Sequence, residues 1–140
     1  MSFFRDMGRF LSQEQEQGEN TPASPVALHG LKDEDQLAKA FEMSDSEPVV
    51  IFKHSVTCPI SSMARRRILH LNDNEDPEVF ELVVQSARGL SQKLEQDLGI
   101  RHESPQVIIL HKQTPIYDAS HHLISVDEIR AVITEATEAE

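Results

Sequence analysis

The sequence contains very little sulfur and few aromatic residues. Its 140 residues include one cysteine, no tryptophan and one tyrosine. A single cysteine cannot form an intramolecular disulfide, so a disulfide-stapled scaffold and a cysteine-rich metal site are both excluded. We therefore expect no bound metal or other cofactor. A lone free thiol also fits a reducing compartment.

Long apolar runs and basic residues are scarce as well. No run approaches the roughly 20 apolar residues that span a bilayer. The first residues, MSFFRDMGRFLSQEQEQGEN, lack the continuous apolar segment of a secretory signal. We therefore expect a cytoplasmic protein with no membrane partner. The formal net charge of −11 would repel nucleic acid, which excludes most nucleic-acid-binding classes.

The composition changes along the chain and predicts one folded domain after a tail. Residues 1–27 are expected to form a flexible tail and linker, because SQEQEQGENTPASP is polar and punctuated by glycine and proline. Residues 28–137 have the length and apolar content of a single domain. We expect this domain to be a monomer.

Helical and strand patterns alternate through the domain. Apolar spacing predicts helices in DEDQLAKAFEMS, PISSMARRRILHL and SQKLEQDLG, and a last helix opened by a capping box of Ser125 and Glu128. Strands are predicted in EPVVIFKH, EVFELVVQ, QVIILHK and PIYDASH, the last two joined by a Gln113-Thr114 turn. This order predicts an α/β, thioredoxin-like fold with a mixed four-stranded sheet and helices on both faces.

The lone cysteine, Cys58, lies where the first long strand gives way to a helix. Pro59 suits the first helical turn, where its missing N–H costs nothing. The thiol would then face the unpaired N–H groups of the helix start, which favour the thiolate and lower the pKa of the thiol. A buried, inert cysteine is the alternative, but the polar approach and the proline are poor surroundings for a core residue.

The residues around Cys58 indicate how such a thiol would react. Cys58-Pro59-Ile60-Ser61 is a C-x-x-C sequence with serine in place of the second cysteine. Ser61 cannot resolve a mixed disulfide, so an adduct on Cys58 would persist until an external thiol attacked it. Thr57 and Ser61 are the candidate side-chain donors to the thiolate.

Three segments together resemble a known family. FKHSVTCPIS, HESPQVIILHK and YDASHHLIS, in this order, are similar to the monothiol bacilliredoxins, thioredoxin-like proteins of the bacillithiol system. The resemblance covers about residues 28–133. It implies that Cys58 removes bacillithiol from S-bacillithiolated client proteins. Bacillithiol, as co-substrate, or a partner reductase would then restore the thiol.

The resemblance also implies a ligand-binding role for a second segment. Pro105 would be a cis-proline beside the cysteine, and Ser104 would offer its backbone to an extended thiol ligand. Bacillithiol carries carboxylates, which nearby positive charge could bind. His121 and His122 would face opposite sides of a strand, so at most one of them, with His121 as the candidate, looks toward the site. The other candidates for this charge are Lys53, His54, Arg101 and His102.

Other functions remain open from the sequence. A monothiol glutaredoxin usually has lysine where this chain has Ser55, and a Gly-Gly-Asp type loop where it has DASHHL, which disfavours glutathione. A non-catalytic thioredoxin-like adaptor would have an unreactive Cys58. A redox sensor would modify Cys58 without turning over a client.

Overall fold

The structure, a computed structural model, describes residues 24–139. Strands and helices alternate along it, as the apolar patterns predict. The strands are β1 (Leu28–Gly30), β2 (Val49–His54), β3 (Val79–Val83), β4 (Gln106–His111) and β5 (Thr114–Ser120). The helices are α1 (Glu34–Met43), α2 (Pro59–Ile68), α3 (Arg88–Leu98) and α4 (Val126–Glu138), with a 3-10 turn at His121–Leu123.

The strands form one mixed sheet in the order β1-β3-β2-β4-β5. β3 pairs in parallel with β1 and β2, whereas β4 pairs antiparallel with β2 and β5. The sheet has five strands rather than the predicted four. The additional strand, β1, is three residues long and ends in Gly30, so it carries too little alternation to be recognised in the sequence.

The sheet is covered on both faces, and β2 lies at its centre with every residue buried. Val50 and Phe52 belong to an apolar cluster that includes residues of α2 and α4. Val49 and Ile51 belong to a second cluster with residues of α1 and α3. Successive residues of a strand point to opposite faces. The last two residues of β2 therefore also lie on opposite faces of the sheet.

The chain packs against the domain before β1. Val26 is 5% exposed, lies in the core, and donates its N–H to the carbonyl of Leu71 at 2.9 Å. Residues 1–23, most of the predicted tail, lie outside the described residues. Among the residues that the structure describes, no helix is long and apolar enough to cross a membrane.

Most predicted helix ends are confirmed, and the reasons are local. The side chains of Asp33 and Ser125 accept hydrogen bonds from Gln36 N and Glu128 N, which caps α1 and α4. Gly99 ends α3 in the left-handed conformation, with φ of 68°.

Two details of the β4–β5 region differ from the prediction. The turn is Lys112-Gln113, with φ of 55° and 63°, and Thr114 already belongs to β5. A β-branched threonine adopts positive φ less readily than lysine or glutamine, which shifts the turn by one residue. His121 and His122 lie in the 3-10 turn after β5 rather than on opposite sides of a strand.

The buried face of α2 also differs by one position. Apolar spacing in the sequence predicts an inward stripe of Ile60, Ala64, Ile68 and Leu71, but Ile60 is 49% exposed. Ser61 takes the inward position and is fully buried, together with Ala64, Ile68 and Leu71. Because Ser61 is polar, apolar spacing alone does not reveal that it lies on the buried stripe.

Candidate active site

Cys58 is the N-cap residue of α2, at the end of the loop that follows β2. Its φ and ψ are −103° and 121°, and Pro59 is the first helical residue. The carbonyl of Cys58 accepts the first bond of the helix, from Ser62 N at 3.1 Å. The residue is a free, partly exposed cysteine. The strand-to-helix junction predicted from the sequence is therefore present.

The helix start stabilises the ionised form of this thiol. The backbone N–H groups of Ser61 and Ile60, at the start of α2, lower the pKa of Cys58. Partial burial opposes this effect, and the Ser61 hydroxyl adds to it. Donors that point at a sulfur favour the thiolate, which is the nucleophilic form.

Ser61 occupies the position of a resolving cysteine and has a structural task there. Its hydroxyl oxygen accepts a hydrogen bond from the backbone N–H of Ser55 at 3.1 Å. Ser55 is the first residue after β2, so this bond holds the loop before Cys58 against the first turn of α2. Ser61 therefore both fixes the loop and supports the thiolate.

Thr57 has a different position from the one expected of a thiolate donor. Its hydroxyl lies 3.1 Å from the Ser55 hydroxyl and accepts from Gln85 Nε2 at 3.2 Å. The other end of the Gln85 amide accepts from Val56 N at 3.3 Å. Gln85 thus braces the loop before Cys58. It follows β3, far away in the sequence, and no motif signalled this role.

The segment before β4 reaches the same edge of the sheet as Cys58. β2 and β4 are antiparallel, with Lys53 opposite Gln106, so the end of β2 lies beside the start of β4. The Ser104–Pro105 peptide bond is cis, as the family resemblance implies. Within the part of the chain that the structure describes, the buried Ser104 hydroxyl has no hydrogen-bond partner. A ligand or a water molecule could supply one.

Lys53 and His54, two candidates for binding ligand carboxylates, are buried. Lys53 is 1% exposed and His54 is 5% exposed. Neither is an ordinary solvated side chain at a strand end, and neither presents its charge on the surface. The Lys53 ammonium donates to Gln106 Oε1 at 3.0 Å, and burial lowers the pKa of Lys53 to about 8.

His54 belongs to a partly buried, hydrogen-bonded group on the opposite face of β2. Its Nε2 lies 2.6 Å from Glu81 Oε2, and Arg65 Nε donates to the same oxygen at 2.9 Å. The hydrogen bond from His54 and the proximity of Arg65 lower the pKa of Glu81, although burial opposes this. The imidazole also stacks on the Phe52 ring, with centroids 4.9 Å apart. This group ties α2, the helix that carries Cys58, to the sheet.

The remaining candidates surround the Ser104–Pro105 segment. Arg101 has an exposed side chain. His102 is half-buried, and burial is the main cause that lowers its pKa, followed by the nearby Lys53. His121 Nε2 lies 3.6 Å from Glu103 Oε1. In the described residues, no group of histidine, cysteine and acidic side chains could hold a metal ion.

Apolar side chains are exposed around the thiol. The structure exposes Val56 by 63%, Ile60 by 49% and Met63 by 47%, all within five residues of Cys58. Leu123, on the 3-10 turn that packs against α2, is 64% exposed. An apolar surface of this kind next to a reactive group suits contact with another macromolecule.

Comparison with solved structures identifies the fold. One neighbour, described as a candidate oxidoreductase with a thioredoxin fold, is 28% identical, with a TM-score of 0.69 over 75% of this chain and 92% of that one. A thioredoxin from Malassezia sympodialis is 15% identical, with a TM-score of 0.63 over 83% and 96% of the two chains. A thioredoxin variant from Halobacterium salinarum is 18% identical, with a TM-score of 0.63 over 81% and 94%. The protein therefore has a thioredoxin fold.

The fold and the thiol site together define a thiol–disulfide redox protein of the thioredoxin class. Residues 29–129 match the sequence model of the family described as monothiol bacilliredoxin BrxC. This match covers well over half of the chain, and the chain belongs to the monothiol bacilliredoxin family.

Proposed function

We propose that this protein removes bacillithiol from S-bacillithiolated client proteins by monothiol exchange at Cys58. The observation that carries the proposal is the position of Cys58 as the N-cap residue of α2, where the N–H groups of Ser61 and Ile60 lower the pKa of the thiol. Ser61 in place of a second cysteine adds the monothiol character.

The exchange balances without another cofactor. The Cys58 thiolate attacks the bacillithiol sulfur of the client's mixed disulfide, and a new S–S bond forms as the old one breaks. The client cysteine leaves as a thiolate and takes up a proton. A second bacillithiol, or the thiol of a partner reductase, then attacks the adduct, so that Cys58 leaves as a thiolate. With bacillithiol as the reductant, the product is bacillithiol disulfide.

The surroundings of Cys58 support a protein as the donor of the adduct. Val56, Ile60 and Met63, all within five residues of Cys58, present exposed apolar area near the thiol. A small polar thiol would gain little from such a surface, whereas a client protein could bury it. The buried Ser104 hydroxyl, which has no partner within the described residues and lies next to cis Pro105, is a polar group suited to the thiol ligand itself.

Transfer to Cys58 from two matched clients tests the proposal. One client protein is prepared as its bacillithiol adduct and, separately, as its glutathione adduct, and each is mixed with the reduced protein. Intact mass spectrometry then follows the adduct onto this chain. We expect fast transfer of bacillithiol and slow transfer of glutathione.

The other outcomes identify different functions. Equal rates, or faster transfer of glutathione, would contradict bacillithiol specificity and favour a glutaredoxin-like activity. If Cys58 accepted neither adduct while iodoacetamide still alkylated it, the non-catalytic adaptor would be the better interpretation.

A further inference from the structure

The proposed exchange at Cys58 makes no direct use of Lys53, yet this side chain is deeply buried. Lys53 is 1% exposed on the central strand, on the sheet face that packs against α1 and α3. Its ammonium donates to Gln106 Oε1 at 3.0 Å, across the β2–β4 pair. Lysine is almost never fully buried in proteins unless it is paired.

Gln106 links Lys53 to the segment 101–105. Its side chain is equally buried, at 1% exposure. Its Nε2 donates to the carbonyl of Arg101 at 3.0 Å, and its Oε1 accepts from Glu103 N at 3.4 Å. The two ends of one amide thus hold both ends of a short stretch that leads into Ser104 and Pro105.

Lys53 reinforces the orientation of the Gln106 amide that the two backbone contacts require. An ammonium group can only donate, so the side-chain oxygen of Gln106 must face Lys53. The amide nitrogen is then directed at the Arg101 carbonyl. Without Lys53, the oxygen would keep only the longer bond from Glu103 N at 3.4 Å, so the amide would hold the segment less tightly.

A simple gain in stability does not explain a lysine at this position. Burial lowers the pKa of Lys53 to about 8, although the nearby Glu95 and Glu103 oppose this effect. The fold therefore disfavours the charged form relative to water. Well-packed apolar residues often replace buried charged groups without loss of stability, and sometimes with a gain.

We propose that Lys53 is a positioning residue for thiol exchange: through Gln106 it fixes the segment 101–105 beside Cys58. This inference rests on the proposed function, in which the Ser104–Pro105 segment contacts the incoming disulfide. Both parts of the site lie at one sheet edge because Cys58 follows β2 and the segment leads into β4. An error in their relative position would slow the approach of the disulfide along its line of attack.

The test compares Lys53→Met with wild type in the full-length protein. Methionine keeps an apolar stem of similar length and removes the donor. We expect transfer from the bacillithiolated client to slow by about 10-fold, as for a displaced reacting group. Alkylation of Cys58 by iodoacetamide should stay unchanged, because the sulfur and its own donors are not altered. The thermal midpoint should be equal or higher.

Two further variants connect the effect to Gln106. Gln106→Leu should slow transfer in the same way, and adding Lys53→Met to it should slow transfer no further, since both changes break one connection. Lys93→Met is the matched control. Lys93 is a lysine of α3 whose half-exposed side chain pairs with Asp97 at 3.2 Å. It should leave transfer unchanged.

Hydrogen exchange by NMR gives a readout that does not depend on the client. In Lys53→Met, the amide of Glu103 should exchange about 10-fold faster, as local opening becomes easier. Unchanged exchange at Glu103 would overturn the inference even if wild type failed to accept bacillithiol, an outcome that would refute only the proposed function. Transfer and thermal midpoint falling together would also overturn it, because Lys53 would then be merely structural.

Discussion

The last two residues of β2 place two basic side chains on opposite faces of the sheet, and the two are held differently. His54 contacts the Glu81 carboxylate at 2.6 Å, and Arg65 of α2 donates to the same oxygen at 2.9 Å. Lys53 contacts the neutral amide of Gln106 at 3.0 Å. The first arrangement fastens the helix that carries Cys58. The second fastens the segment that carries Ser104 and Pro105.

The difference in partners predicts a different effect of each contact on the stability of the fold. A carboxylate that accepts hydrogen bonds from two basic partners is stabilised in its ionised form, and the pKa of Glu81 is lowered accordingly. A lysine whose direct partner is neutral has less compensation for burial, and the pKa of Lys53 falls to about 8. We therefore expect the contacts of Glu81 with His54 and Arg65 to stabilise the fold. The contact of Lys53 with Gln106 should instead position the segment 101–105.

The largest effect on adduct transfer should come from removing the sulfur of Cys58. Cys58→Ser should abolish adduct transfer, because a hydroxyl at this position has no thiolate form to attack a disulfide. The fold should persist, since serine is a favourable N-cap residue. Intact mass spectrometry and thermal unfolding measure the two properties. A large drop in the thermal midpoint would instead indicate a structural cysteine.

Neutralising Glu81 should weaken its contacts with His54 and Arg65, which join α2 to the sheet. Glu81→Gln should lower the free energy of unfolding at pH 7 by about 1–3 kcal/mol, the usual cost of losing hydrogen bonds to a charged group. Urea denaturation measures this loss. The matched control is Glu78→Gln. Glu78 contacts His29 at the same 2.6 Å, but both side chains are more exposed, so a smaller loss is expected. Equal losses would contradict the importance of burial.

Acid should reduce the effect of Glu81→Gln. The folded-state pKa of Glu81 is lowered, so the carboxylate contributes stability above the unfolded-state value of about 4.3. This contribution is lost as the pH falls through the lower folded-state value. Urea titrations of both proteins at a series of pH values down to acid should therefore converge. A constant difference at all pH values would show that the charge of Glu81 is not responsible.

Alkaline pH should reveal the free-energy cost of burying the Lys53 ammonium group. Between about 8 and about 10.4, the unfolded value, folded Lys53 has lost its proton while unfolded Lys53 keeps it. The unfolded state then binds more protons, so Lys53 makes stability rise with pH in this window. From pH 8 to 10, the free energy of unfolding of wild type should therefore rise relative to that of Lys53→Met. A difference in free energy of unfolding between the two proteins that stays constant from pH 8 to 10 would contradict this cost.

The smallest effect should come from an exposed lysine. Lys93→Met breaks an ion pair with Asp97, in which both side chains are about half exposed. Surface pairs of this spacing on a helix contribute about 0.3–0.5 kcal/mol. Urea denaturation at pH 7 should show a change of that size, without a pH-dependent difference from wild type between pH 8 and 10. A similar alkaline difference in this variant would show that the Lys53 effect is not caused by burial.

The sequence predicts the elements that local chemistry specifies. The caps at Asp33 and Ser125, the stop at Gly99 and the junction at Cys58 each depend on residues within one turn of chain, and all four are present. The short β1 strand depends instead on pairing with β3. Three residues ending in glycine carry no pattern that reveals such a partner.

The surroundings of the thiol were harder to predict, because they depend on distant contacts. Lys53 and His54 look like solvated residues at a strand end, and only Gln106 and Glu81 explain why they are buried. Gln85 braces the Cys58 loop from 29 residues beyond Val56. Side-chain hydrogen bonds between separate elements leave no periodic signal along the chain.

The central claim is that the start of α2 makes Cys58 a reactive thiolate, and the pH dependence of its alkylation tests this most directly. Because Cys58 is the only cysteine, the intact mass after brief treatment with iodoacetamide reports on this thiol alone. The N–H groups of Ser61 and Ile60 lower the pKa, so the midpoint should lie below the value of about 8.5 for an unperturbed cysteine. A midpoint at or above that value would contradict the account.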